Sequence, residues 1–175
     1  FWQTQVTARR ANPAGRVPRH RLLDEVRIAV DTRERYPYRF ANRPVSIERV
    51  ALSAGDYGVF VRERLVATVE RKTLENFVSC LSDGTLAFQL QRLSAVPLAA
   101  VVVEAKYADL FRQPGGRANF FADVLARLQV RYHEVAVVFA DSRKFAEEWA
   151  YRFLATAAAD ASAGSSAEEH PDEEP

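Results

Sequence analysis

Two runs in the C-terminal half, "LAAVVVEA" from Leu98 and "VAVVFA" from Val135, are almost unbroken in apolar character, and this restricts the fold more than any other feature. A strand with one wet face alternates apolar and polar residues, whereas a strand covered on both faces need not. Such strands sit inside a sheet with helices on both sides, and parallel neighbours need a long crossover. The segment between the two runs fits that role. From about Ala118 to His133, Phe121, Val124, Leu125 and Leu128 fall on one side of a helix.

The remaining elements follow from period changes. "VRIAVDTRE" sets Val26, Ile28 and Val30 against Arg27, Ala29 and Asp31, the period of a strand that ends in polar residues. After a Pro-containing loop, "VSIERVAL" and "YGVFV" read as strands broken at Ala54-Gly55-Asp56, and "LVATVERK" as a fourth. From Thr73, a suitable N-cap, the spacing of Leu74, Phe77, Val78 and Leu81 is helical. "SDG" interrupts the helix, and Leu86, Leu90 and Leu93 resume it up to Pro97; Phe145, Trp149 and Phe153 build a last helix. The expectation is an α/β layer fold, a central mixed sheet with flanking helices, antiparallel at its start and helix-linked afterwards. No internal repeat is visible.

The chain of 175 residues is long enough for one domain with a sizeable core. It begins at Phe1 and has no methionine, so it reads as a fragment of something longer. One cysteine, Cys80, excludes an internal disulfide framework and suits a reducing, intracellular setting, cytoplasmic if the source is bacterial. No apolar run approaches the roughly 20 residues that span a bilayer, and no signal peptide opens the chain. The net charge of +1 conceals an asymmetry: residues 1–23 hold five arginines and no acid, and residues 155–175 six acids and no Lys or Arg. Three regions are therefore expected: a basic flexible arm or linker over 1–23, a folded domain over 24–156, and an acidic disordered tail over 157–175. With a near-neutral middle, any nucleic-acid affinity must come from a local patch or the arm.

Residues i and i+2 of a strand share a face, so Leu65, Ala67, Val69 and Arg71 oppose Val66, Thr68, Glu70 and Lys72. A hairpin through Arg62-Glu63-Arg64 sets Asp56 opposite Glu70, and Asp31 and Glu34 end a neighbouring strand. Clustered carboxylates raise one another's pKa unless a cation neutralises them. Two or three of them suit Mg²⁺, a hard ion that keeps several waters and leans on substrate phosphate. A metal held this way activates water and polarises a phosphodiester, and a lysine beside it offsets developing charge. Spacing alone leaves a solvated, charged hairpin end as an even alternative.

The wording of the motifs is more specific. "VDTRE", "GDY", "VERKTLENF" and "LSDGTLAFQLQRL", in that order, resemble the XPF family of structure-specific endonuclease domains over roughly residues 26–155. The resemblance implies a restriction-endonuclease-like fold and cutting of branched DNA (flaps, forks, bubbles) in repair or recombination, with Mg²⁺ or Mn²⁺. By it, Asp31, Asp56, Glu70 and Lys72 are catalytic, the three acids holding the metal. Arg33, Glu34, Arg71, Asn76, Gln89 and Arg92 support the site or contact DNA. It also implies a homodimer or heterodimer through the C-terminal part of the domain. One position departs from the family: Asn76 stands where its signature ends in Asp, and Glu75 lies about 100° away round the helix. A catalytically weak or inactive DNA-binding or dimerisation subunit is the alternative this raises.

Other candidates are weaker. His20, His133 and His170 are far apart in sequence, Cys80 reads as a buried structural thiol, and "QPGGRANF" as a turn before a helix. Most aromatic residues of the C-terminal half are expected to pack in the core.

Overall fold

The structure, a computed structural model, describes residues 23–115 and 117–168. The expected arm, apart from Leu23, and the last seven residues of the expected tail lie outside the described residues.

Six strands form one sheet: β1 (Val26–Asp31), β2 (Val45–Val50), β3 (Tyr57–Val61), β4 (Arg64–Lys72), β5 (Leu98–Val103) and β6 (Val135–Phe139), in the spatial order β2-β1-β3-β4-β5-β6. Strand β3 runs antiparallel to β1 and β4, and β4, β5 and β6 run parallel. The antiparallel start needs one correction, because β2 pairs with β1 in parallel and forms the sheet's edge. Its exposed Glu48 and Arg49 suit an edge strand, where charge discourages further pairing.

One face packs under helices α1 (Leu74–Asp83), α2 (Thr85–Leu93) and α3 (Ala118–Arg131). Phe77, Leu81, Leu86, Leu90, Leu93, Phe121 and Leu125 are buried there against Val101 and Val103. The helical stripes read from the sequence are thus core stripes. Thr73 caps α1, its Oγ1 accepting from Asn76 N–H at 3.3 Å. Gly84, at φ +78°, is both the C-cap of α1 and the N-cap of α2.

The other face is covered by α4 (Arg143–Glu168) and by the loop between β1 and β2, whose buried Tyr38 stacks on Tyr57 at 4.8 Å between ring centroids. Two expectations about α4 are corrected. The helix continues through Glu168, and Ala157, Ala158 and Ala159 are buried, so residues 157–168 are not a disordered tail. Alanine has high helix propensity and no bulk, so it lets a helix lie close to a sheet. The buried face is Ala146, Ala150, Leu154 and Ala158; Trp149 and Phe153 stack on its flank, and Phe145 is exposed.

The face assignment along β4 is corrected at its start. Val59 pairs with Ala67 but Phe60 with Leu65, a bulge that leaves Val66 as an extra residue. Leu65 therefore packs on the α1–α3 side and Val66 on the α4 side, while the expected alternation holds from Ala67 to Lys72. Among the described residues, no helix is long and apolar enough to cross a membrane.

Candidate active site

The antiparallel register pairs Tyr57 with Val69, which places Asp56 opposite Glu70. Asp56 N–H donates to Val69 O at 2.9 Å and Asp56 O accepts from Asp31 N–H at 2.8 Å, so the Gly55-Asp56 turn is laced between β4 and β1. Gly55 has φ +78°, and a Cβ there would lie 2.1 Å from Thr68 Oγ1. That hydroxyl sits 2.8 Å from Ala54 O and 2.9 Å from Tyr57 O, fastening the same turn from inside. The "GDY" sequence is therefore a backbone requirement that delivers a carboxylate.

Glu70 and Lys72 project from the end of β4, and Lys72 Nζ donates to Glu70 Oε1 at 2.8 Å. Lys72 is 4% exposed, its stem covered and its ammonium held at the carboxylate. Asp56 Oδ2 accepts from Arg71 N–H at 2.8 Å. Burial, then the charges of Glu70 and Glu34, push the Asp56 carboxyl up to about 7, against the pull of the Arg71 amide. The Lys72 ammonium offsets part of the charge of these two crowded hard-oxygen donors, and the raised Asp56 carboxyl marks the remainder, which fits a hard divalent cation.

Asp31 reaches the same groove in another condition. Its Oδ1 accepts from Arg33 N–H (2.8 Å) and Arg33 Nε (2.7 Å), and its Oδ2 from Arg33 Nη2 (3.1 Å) and Leu52 N–H (2.8 Å). The Arg33 side chain holds the carboxyl at about 2, assisted by the backbone donors and against burial. With its lone pairs so engaged, Asp31 reaches a cation only if Arg33 moves. Among the described residues, no three His, Cys, Asp or Glu side chains form a complete ion cage.

Two adjoining concavities share Glu34, Asp56, Glu70 and Gln89. One also holds Asp31, Arg33 and Arg92, and the other Arg71, Lys72 and Asn76. All ten residues singled out in the sequence thus line one groove. Asn76 faces it from α1, with Cys80 Sγ 3.7 Å from its Oδ1. Glu75, exposed, is not among the lining residues. Gln89 Oε1 is buried without a hydrogen-bond partner, an acceptor left over in the groove wall. His133 is exposed and pairs with Glu134, away from the groove.

Sequence reasoning missed the layer behind the site. Glu104, at the end of β5, accepts from Arg71 Nε (2.6 Å) and Nη2 (3.2 Å), Tyr38 OH (3.1 Å) and Arg143 Nη1 (3.4 Å). Arg71 thus offers its amide to Asp56 on one side and its guanidinium to Glu104 on the other. A lone acid after an apolar strand carries no sequence signal of this; only Tyr38 and Arg143, brought in from distant segments, reveal it. Glu104→Gln leaves two guanidinium groups against a neutral amide, and is expected to cost about 2 kcal/mol in urea unfolding. The loss is expected to shrink when Arg143→Ala is added.

A model of the ERCC4 domain matches residues 30–153, most of the chain and all of the groove. The chain belongs to the ERCC4 domain family. Its structure is similar to that of XPF from Aeropyrum pernix in complex with DNA, with a TM-score of 0.64 and 26% identity over 74% of this chain and 64% of that one. A second structure of the A. pernix XPF superposes with a TM-score of 0.60 at 26% identity, over 73% of this chain and 59% of that one. In sequence, 81 residues are 36% identical to a protein of Methanocaldococcus jannaschii named as an ATP-dependent RNA helicase. The match takes in 46% of this chain but only 10% of that protein. The restriction-endonuclease-like expectation agrees with this: the mixed six-stranded sheet with flanking helices is the XPF nuclease fold.

Proposed function

We propose that this ERCC4 domain hydrolyses phosphodiesters in branched or structured DNA with the help of Mg²⁺ or Mn²⁺. The observation that carries the reading is Asp56 set opposite Glu70, with Lys72 bonded to Glu70, on one wall of an open groove. Asp56 and Glu70 would hold the ion; when bound, it supplies Lewis acidity toward a phosphate oxygen and a water of lowered pKa. Lys72 keeps Glu70 oriented and places a positive charge where charge develops during phosphorus–oxygen cleavage. Arg71 fixes Asp56 through its amide, and Asp31 holds Arg33 at the groove wall. Arg33 and Arg92 bring the phosphate backbone toward carboxylates that alone would repel it. A dimer through the C-terminal half belongs to the same proposal, as does an intracellular location.

The decisive experiment is cleavage of labelled flap, fork and plain duplex DNA with each metal. Cuts near the junction in branched DNA support the reading; equal cutting of plain duplex, or cutting in EDTA, removes it.

Asn76 favours a second reading, a weakened or silent site within a binding subunit. Asn76 faces Glu70 and Lys72 in the groove but brings no charge. Under the first reading, Asn76→Asp is expected to raise cleavage about tenfold, equivalent to about 1.4 kcal/mol of barrier, and to tighten Mn²⁺ binding in calorimetry. Tighter Mn²⁺ binding without any cleavage would favour the silent subunit.

A further inference from the structure

The hydrolytic residues leave one part of the groove's rim unused. Tyr36 is 75% exposed and lines the groove with Arg33, Arg35 and Arg92. Singly exposed aromatic residues are common and by themselves mean little. Here the backbone under the ring is tied from several directions. Tyr36 N–H donates to Glu34 Oε1 (2.7 Å), and Arg143 Nη2 donates to the carbonyls of Tyr36 (2.7 Å) and Pro37 (3.0 Å). Arg49 Nη2 donates to Glu34 O at 2.9 Å, and two residues on, Tyr38 is anchored in the core. The fold thus fixes the main chain of Tyr36 while leaving the ring in solvent, beside arginines and within the same concavity as Asp56 and Glu70.

The chemistry narrows what such a ring would take. An aromatic face accepts any nucleobase by stacking, without regard to sequence. Inside a duplex both faces of every base are already stacked, so only an unpaired or terminal base has a face to offer. Arginines lining the same concavity supply charge for the phosphates that flank such a base. We infer that Tyr36, with Arg33 and Arg35, forms a subsite for an unpaired nucleotide next to the phosphate over Asp56 and Glu70. The inference rests on the nuclease reading and deepens it. Preference for a branch then arises where single strand meets duplex, because the ring selects the frayed side and the groove the scissile phosphate.

The test uses the full chain carrying Glu70→Gln, in EDTA, so that no cutting occurs. The probes are a fork with 2-aminopurine at the first unpaired position and a blunt duplex of equal length. Tyr36→Ala is expected to weaken fork binding about tenfold or more, leave duplex binding unchanged and abolish the 2-aminopurine stacking signal, while Tyr36→Phe retains all three. Equal losses on fork and duplex, or no loss on either, overturn the subsite while leaving the nuclease reading in place. If the parent chain binds neither DNA, both fail together.

Discussion

Exchanging Glu70 for glutamine is expected to reduce metal-dependent cleavage of forked DNA by about 10³-fold or more, several kcal/mol of barrier, with little change in stability. The asymmetry follows from what surrounds the carboxylate. Glu70 is one of the two acids that face each other across β3 and β4, so under the proposed function its charge would be half of the ion's grip. For folding, that same charge works in opposing directions: it pairs with the nearly buried Lys72 ammonium, yet it also helps raise the Asp56 carboxyl. Glutamine still offers an oxygen to Lys72 and removes the repulsion. The unfolding free energy is therefore expected to move by no more than about 1 kcal/mol in either direction. Single-turnover cleavage and scanning calorimetry on the same preparation check both halves. Cutting by Glu70→Gln within tenfold of the parent would move the chemistry elsewhere in the groove.

Gly55→Ala is the second large effect, and it acts on the fold first. A methyl group at this position meets Thr68 Oγ1 at 2.1 Å and Val69 O at 3.1 Å, in a backbone with φ +78°. The left-handed conformation and the collision each cost on the order of 1–3 kcal/mol, for a loss of about 4 kcal/mol in urea unfolding. Because Thr68 is buried between strands, it has little room to withdraw. A double-mutant cycle with Thr68→Ala separates the two causes: the second change is expected to recover the steric part and leave the conformational part. Full additivity would mean that the clash is absent. Any Gly55→Ala protein that folds is also expected to lose cleavage, since the displaced turn carries Asp56.

How much of this was legible in the sequence depended on whether a signal was local. The stripes Leu74/Phe77/Leu81 and Leu86/Leu90/Leu93 marked two helices and their buried faces, because both are set within a few residues. Strand alternation placed Glu70 and Lys72 together, and a short hairpin made Asp56 their neighbour. Strand order was not legible: nothing in "VSIERVAL" says that it lies outside β1 and parallel to it. The bulge at Val66 was equally hidden, since an extra residue shows only against its partner strand. The alanine-rich stretch after Thr156 was misread because small residues and distant acids resemble a solvated tail, whereas small size here permits close packing. Glu104 was overlooked because its partners Tyr38, Arg71 and Arg143 come from three other segments.

Gly84 joins α1 and α2 with no intervening loop, and nothing stands within 4 Å of where its Cβ would be. Asn76 belongs to the helix before it, and Gln89 and Arg92 to the helix after it. Gly84 thus sets the corner between these two sets of groove residues, while the buried stripes of both helices hold each against the sheet. The breadth of the opening presented to a substrate therefore turns in part on a glycine, fourteen residues from Glu70, the nearer of the two acids proposed to hold the ion.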